Sequence, residues 1–103
     1  MSDTILVTGT IDIDPAKRAE FIDAVTSLMA DTRAEDGCVS YTFSGDLQDE
    51  GRFHVSEQWR DQAASDAHSA SAHFLGFMGK LGEFGVKGAD ITKWTGAEGA
   101  PLF

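Results

Sequence analysis

Two kinds of hydrophobic spacing follow one another along the chain, and their order limits the folds that it can adopt. In the first segment, TILVTGTIDI at residues 4–13, apolar and polar side chains alternate. The apolar residues that share one face are Ile5, Val7, Ile11 and Ile13. Because successive side chains of a strand point to opposite sides, this alternation predicts a strand that is buried on one face.

The next segment has the spacing of an amphipathic helix, which we place at residues 15–35. Asp14 is suited to cap its amino end, and Pro15 is favoured at a first helical position. The apolar face consists of residues three or four apart: Phe21, Val25, Leu28, Met29 and Thr32. The segment EDG at residues 35–37 is predicted to end the helix, since Gly37 suits the left-handed turn that follows many helices.

Two further alternating runs, separated by turn residues, predict a β-hairpin. The first run, CVSYTFSG, places three residues on one face: Val39, Tyr41 and Phe43. The second run, RFHVSEQW, places four residues on one face: Phe53, Val55, Glu57 and Trp59. The connecting segment DLQDEG predicts a loop of about six residues between the two strands.

A second helical region and a last strand complete the domain. Asp61 is suited to cap the helix, whose apolar residues at helical spacing are Phe74, Phe77, Met78, Leu81 and Phe84. The segment VKGADITKW at residues 86–94 predicts the final strand. The order βαββαβ is typical of the ferredoxin-like fold of the α+β class, a four-stranded antiparallel sheet with two helices on one face.

Composition predicts one domain and argues against several kinds of partner. The 103 residues suffice for a single core, placed at about residues 4–95, with a C-terminal tail at residues 96–103. The net charge of −9 argues against nucleic acid and anionic membranes as partners. The N-terminal residues do not resemble a secretory signal, and the single Cys38 cannot form an internal disulfide. A cytoplasmic location is therefore expected.

Glu57 is unusual because it shares the predicted inner face of its strand with apolar residues. Burying an unpaired carboxylate costs several kcal/mol, so Glu57 is expected to find a hydrogen-bond donor. The helix that follows brings His68 and His73 back over this strand, and we expect Glu57 to pair with His68. Such a pair in an apolar cleft can act as a general base. The alternative is a buried hydrogen bond that only attaches the helix to the sheet.

No metal site is expected from the three histidines. His68 and His73 are five residues apart, which is about 140° around a continuous helix. They can share a face only if the helix breaks within the intervening SASA segment, and metal-binding pairs on one helix are spaced three or four residues apart. His54 lies on the opposite face of its strand.

Four aromatic side chains are candidates for the wall of a binding site, with ordinary core packing as the alternative. Tyr41 and Trp59 lie on the predicted inner face of the hairpin, where the phenol and indole groups can orient a ligand. Phe74 and Phe77 have the spacing of core residues. An anionic group on a substrate would need a cation, and the candidates are Arg33, Arg52 and Arg60.

These residues together resemble the antibiotic biosynthesis monooxygenase domain family. The resemblance covers about residues 5–95 and rests on Gly37-Cys38, Tyr41, Phe43, Phe53, EQW at residues 57–59 and AHSASAHF at residues 67–74. It implies a ferredoxin-like protomer that dimerises through its sheet face into a dimeric α+β barrel. It also implies a cavity between the sheet and the helices of each subunit.

The resemblance further implies an oxidation of a phenolic or hydroquinone-type aromatic to a quinone by dioxygen, without metal, flavin or haem as cofactor. In that reading His68 transfers the proton and is oriented by Glu57, Tyr41 and Trp59 hold the ring, and His73 adds a polar contact. Haem-degrading relatives carry an Asn on the first strand, which residues 4–13 lack. Two alternatives stay open: a non-oxidative isomerase of a small metabolite, either phosphorylated or not, and a non-catalytic small-molecule-binding or stress protein.

Overall fold

Four strands form one antiparallel sheet in the structure, a computed structural model that describes residues 2–103. The strands are β1 (Ile5–Asp12), β2 (Cys38–Gly45), β3 (Arg52–Trp59) and β4 (Gly88–Thr95). The helices are α1 (Arg18–Arg33), α2 (Gln62–Ser69) and α3 (Ala72–Gly79), with 3-10 turns at Pro15–Lys17 and Leu81–Phe84. The strand order β2-β3-β1-β4 is that of a ferredoxin-like sheet, so the predicted fold class is confirmed.

The core lies between this sheet and the helices. The strands supply alternate residues, among them Ile5, Ile11, Tyr41, Phe53, Val55 and Trp59. The helical segments supply Phe21, Val25, Leu28, Phe77 and Phe84. Full burial of one such side chain contributes about 1.5–3 kcal/mol, so these residues hold the helices on one face of the sheet. The opposite face carries threonines and serines of β1, β2 and β3.

The predicted start of the first helical segment is confirmed, with a 3-10 turn ahead of the regular helix, and the helix ends at Arg33, two residues earlier than predicted. The Asp14 carboxylate accepts a hydrogen bond from the Ala16 backbone N–H at 3.0 Å, and Pro15 opens the turn. Regular α1 then begins at Arg18. Gly37 has a φ of 85°, the left-handed conformation predicted for it.

The predicted facing of β2 is wrong at Val39. Tyr41 is buried, as expected, but Val39 is 58% exposed. The pairing with β3 shifts between Cys38 and Ser40, so a β-bulge adds one residue and turns Val39 outward. Cys38 takes the inward place and packs against the core. Sequence alternation alone does not reveal a bulge. The extra residue reverses the side of the sheet on which the residues before it lie, but the sequence still alternates.

The second helical region is two helices rather than one. The chain turns at Ala70 and Ser71, as the SASA segment allowed, and α3 starts anew. The Ser71 hydroxyl donates to the His68 carbonyl at 2.7 Å and accepts from the Phe74 N–H at 3.3 Å, which stabilises the turn. Met78, predicted to be in the core, is half-exposed because α3 has a different orientation from a continuation of α2.

The C-terminal part of the chain follows β4, which begins two residues later than predicted. Residues 96–103 have no helix or strand, and Leu102 and Phe103 are exposed to solvent in the single chain. Within residues 2–103, no helix combines the length and the apolar character that crossing a membrane would need.

Gly9 allows the backbones of β1 and β4 to approach closely. A Cβ atom at this position would overlap the carbonyl oxygen of Asp90 and lie 2.6 Å from the Cα atom of Ile91. We therefore expect Gly9→Ala to lower the free energy of unfolding by about 2 kcal/mol, because backbone atoms must move. Urea denaturation measures this. Gly88→Ala is the control, since a Cβ atom there meets nothing within 4 Å. Equal effects of the two substitutions would contradict the close approach.

Candidate functional site

One carboxylate oxygen joins the two histidines of the segment after β3. Glu35 Oε2 lies 2.8 Å from His68 Nδ1 and 2.7 Å from His73 Nε2. Glu35 follows α1, His68 is in the last turn of α2, and His73 is in the first turn of α3. The three residues, here called the Glu35 cluster, therefore connect three separate helices at one end of the domain.

The break between α2 and α3 is what brings the two imidazoles together. On one continuous helix they would point about 140° apart. In the structure their ring centroids are 6.0 Å apart, because the turn at Ser71 redirects the chain between them. The expectation that His68 and His73 do not share a site is therefore wrong, because it assumed that both lie on one continuous helix.

His68 is the buried member of the cluster and is only 4% exposed. Its ring stacks on Trp59 with a centroid distance of 4.8 Å and meets Tyr41 edge-on at 5.0 Å. A carboxylate can only accept hydrogen bonds, so an ionised Glu35 requires the proton of neutral His68 to be on Nδ1. Nε2 then carries the free lone pair. This atom is buried and has no hydrogen-bond partner within residues 2–103.

The expected pairing of Glu57 with His68 is wrong. Glu57 Oε1 instead accepts a hydrogen bond from the Trp59 indole N–H at 2.9 Å. The two residues are two positions apart on one face of β3, so the indole is the nearer donor. Burial raises the pKa of the Glu57 carboxyl, and the indole hydrogen bond and the nearby His68 oppose that rise. Glu57 thus orients Trp59, the residue on which His68 stacks.

Tyr41, Trp59 and Phe74 surround the His68 ring as the sequence suggested. Tyr41 and Trp59 are buried, while Phe74 is partly buried with its ring centroid 4.8 Å from that of His68. Burial raises the pKa of the Tyr41 phenol far above its usual range, and the charges of Glu57 and Glu35 add to this effect. Tyr41 is therefore a neutral phenol at physiological pH.

The expected cavity between sheet and helices is filled by these side chains in the single chain. Tyr41, Trp59 and His68 contact one another directly instead of lining an open space. A surface groove of about 650 Å³ runs along α1 and α3, and its lining includes Phe77 and His73. The cluster therefore extends from the buried His68 to the groove, where the His73 side chain is 25% exposed.

Glu35 is the site residue that sequence reasoning missed. In the sequence it reads only as part of the EDG segment that ends α1, and no periodic pattern marks it as inward-facing. One signal could have pointed to Glu35: the imidazoles of His68 and His73 need a hydrogen-bond acceptor. Choosing between Glu35 and Glu57 required the distances between the elements, which no single sequence contains.

Replacing Glu35 tests this assignment. We expect Glu35→Ala to lower the free energy of unfolding by about 1–3 kcal/mol, because the buried Nδ1–H of His68 loses its acceptor. Asp36→Ala is the matched control, since Asp36 forms a solvent-exposed ion pair with Arg60 whose loss should leave the stability nearly unchanged. Chemical denaturation measures both.

A double-mutant cycle then identifies the partner of His68. We expect coupling between Glu35→Ala and His68→Ala that exceeds the coupling between Glu57→Ala and His68→Ala. The reverse order would contradict the observed pairing.

Comparisons with known proteins agree with this architecture. Residues 4–80 match the family model described as "Antibiotic biosynthesis monooxygenase". The chain is 37% identical over 76 residues to "Putative monooxygenase YcnE" of Bacillus subtilis, which covers 74% of this chain and 80% of that protein. It is 35% identical over 96 residues to "Uncharacterized protein sll1783" of Synechocystis, covering 93% of this chain but 65% of that longer relative.

Among solved structures, a "putative antibiotic biosynthesis monooxygenase" from Deinococcus radiodurans superposes with a TM-score of 0.88 at 25% identity, covering 96% of this chain and 98% of that chain. The family match spans the first three strands and all three helices, and it includes every residue of the Glu35 cluster. The chain therefore belongs to the antibiotic biosynthesis monooxygenase family.

Proposed function

We propose that this protein is a cofactor-independent monooxygenase that oxidises a phenolic or hydroquinone-type aromatic to a quinone. The observation that carries the proposal is the buried, unpartnered Nε2 atom of His68, with the Nδ1 proton held by Glu35. An imidazole held in one tautomer by a carboxylate is suited to remove a proton from a substrate hydroxyl. Membership of a family with relatives named monooxygenases supports the same reaction class.

The chemistry needs only a base, an aromatic binding surface and exclusion of water. Removal of the phenol proton by His68 gives a phenolate, which can pass one electron to dioxygen. The phenoxyl radical and superoxide then combine to form a carbon–oxygen bond. Breaking of the oxygen–oxygen bond leaves one oxygen atom on the ring as the quinone carbonyl. The other oxygen leaves as water, with the hydrogens of the phenol O–H and of the attacked ring carbon.

Trp59 and Tyr41 have the roles of holding and orienting the ring in this proposal. Trp59 is fixed by its bond to Glu57, and Tyr41 stays neutral, so it can donate a hydrogen bond to the developing phenolate. The interior is filled in the single chain, so a substrate must displace a side chain to reach His68. Phe74 is the candidate, because it contacts His68, is only partly buried and lies in the first turn of the short helix α3.

The two alternatives differ in what supports them. A phosphorylated substrate needs cations. Arg52 pairs with Asp12, Arg60 pairs with Asp36, and Arg33 donates to the Tyr41 carbonyl. The groove beside His73 carries more acidic than basic side chains, which disfavours an isomerase of a phosphorylated metabolite. A non-catalytic role, with the cluster as a structural connection between helices, is favoured by the filled interior and is the second candidate.

Oxygen uptake by metal-free protein separates these candidates. We expect uptake above the spontaneous rate with some members of a panel of hydroquinones and naphthols. His68→Ala should lower that rate by about 10²–10⁴-fold, the usual contribution of a positioned base. His54→Ala is the control, because His54 pairs with Asp46 in the exposed hairpin region and not with the Glu35 cluster. Uptake that survives in His68→Ala would show that His68 is not the base, and uptake that is absent across the panel would favour the non-catalytic candidate.

We also propose that the protein is a homodimer formed through the outer face of the sheet, the face away from the helices. Trp94 lies on this face, is 55% exposed, and donates its indole N–H to Thr8 Oγ1 at 3.0 Å. An exposed tryptophan that is ordered by a hydrogen bond to a neighbouring hydroxyl gives an anchor for an interface. Contact with nucleic acid or a membrane is not part of the proposal, because the net charge of −9 opposes both.

Trp94→Glu tests the dimer. We expect the wild-type protein to have twice the chain mass in light scattering and Trp94→Glu to have the monomer mass, because a buried unpaired carboxylate opposes association. Leu75→Glu is the control, since Leu75 is 57% exposed on α3 and faces away from the sheet. A wild-type monomer, or a dimer that persists in a folded Trp94→Glu variant, would contradict this interface.

A further inference from the structure

The Glu35 cluster has the donor set of a metal site as well as that of a hydrogen-bonded pair. The atoms Glu35 Oε2, His68 Nδ1 and His73 Nε2 all lie within 4.8 Å of one another. Two imidazole nitrogens and one carboxylate oxygen are ligands that zinc and other divalent first-row metals prefer. Around a tetrahedral ion, such atoms are about 3.3 Å apart. The Glu35 oxygen lies 2.8 and 2.7 Å from the two imidazole nitrogens and would move away from them. The two nitrogens lie within 4.8 Å of each other and would move closer together.

A cation can reach this position from solvent. The His73 ring is partly exposed and borders the groove along α1 and α3. Acidic side chains predominate among the charged residues of that groove: Glu20, Asp23, Asp31 and Glu83, against Lys17 and Lys80. Acidic walls raise the local concentration of cations.

Coordination would change the tautomer of His68. Without metal, the Nδ1 proton points to Glu35 and the Nε2 lone pair is free. A metal on Nδ1 needs the lone pair of that atom, so a neutral imidazole must then carry its proton on Nε2. The same buried atom that accepts a proton in the free protein would become a hydrogen-bond donor.

We propose that a zinc-like divalent metal binds the Glu35 cluster and inactivates the protein by moving the His68 proton from Nδ1 to Nε2. The metal is an inhibitor here and not a cofactor of the oxidation. The loss of activity rests on the proposed function, because moving the proton to Nε2 stops catalysis only if Nε2 is the base. Metal binding and the change of tautomer do not depend on any substrate.

The binding test uses the full chain without a polyhistidine tag, after treatment with EDTA. We expect one Co²⁺ per chain, with the strong visible absorption of low-symmetry four-coordinate cobalt, and displacement of Co²⁺ by Zn²⁺. His73→Ala should weaken Zn²⁺ binding by more than about 100-fold. Such a loss is larger than that caused by removing a residue that only hydrogen-bonds to a metal ligand. His54→Ala should bind as the wild type does. Absence of a one-to-one complex, or equal affinity in His73→Ala, would overturn the proposal.

The tautomer is read by ¹⁵N NMR of the imidazole nitrogens. We expect the His68 proton on Nδ1 in the metal-free protein and on Nε2 with one equivalent of Zn²⁺. A proton that stays on Nδ1 would overturn the switch even if metal binds. Where oxygen uptake is measurable, one equivalent of Zn²⁺ should abolish it in the wild type. If the metal-free protein takes up no oxygen, that result contradicts only the proposed function. Metal binding and the change of tautomer are measured by spectroscopy and need no turnover.

Discussion

A single carboxylate oxygen, Glu35 Oε2, joins the ends of three helices by accepting hydrogen bonds from His68 and His73. Without it, a buried imidazole N–H would have no acceptor, which costs about 1–3 kcal/mol. The interaction also depends on the break at Ser71, because a continuous helix would point the histidines apart. The break, the orientation of His68 and its stacking on Trp59 are therefore parts of one arrangement.

The two carboxylates near this arrangement act on different partners. Glu35 holds the His68 ring from the helix side, and Glu57 holds the Trp59 indole from the sheet side. The stacked rings of Trp59 and His68 lie between them, each oriented by its own acceptor. A ligand that enters beside His68 would thus meet one fixed imidazole and one fixed aromatic surface, which is the preorganisation that transition-state stabilisation requires.

Most of the fold could be predicted because it depends on local signals. Alternation located the strands, Asp14 and Asp61 capped helical segments, and Gly37 adopted the left-handed conformation in the turn after α1. The errors came from features with no local signal. A bulge turned Val39 outward, and the partner of His68 was a residue 33 positions earlier in the chain. Sequence periodicity identifies the face on which a side chain lies, but lateral distances between packed elements select its partner.

The unpaired Nε2 atom of His68 bears on whether the cluster is only structural. A connection between helices needs the Nδ1–H donor and gains nothing from a second nitrogen that is buried without a partner. A buried polar atom in that state costs free energy, which offsets part of what the Nδ1–H bond to Glu35 contributes. The bond to Glu35 accounts for an imidazole at this position, and Nε2 is the buried atom that this bond leaves without a partner. In the proposed function, a substrate hydroxyl meets Nε2 and gives its proton to this atom.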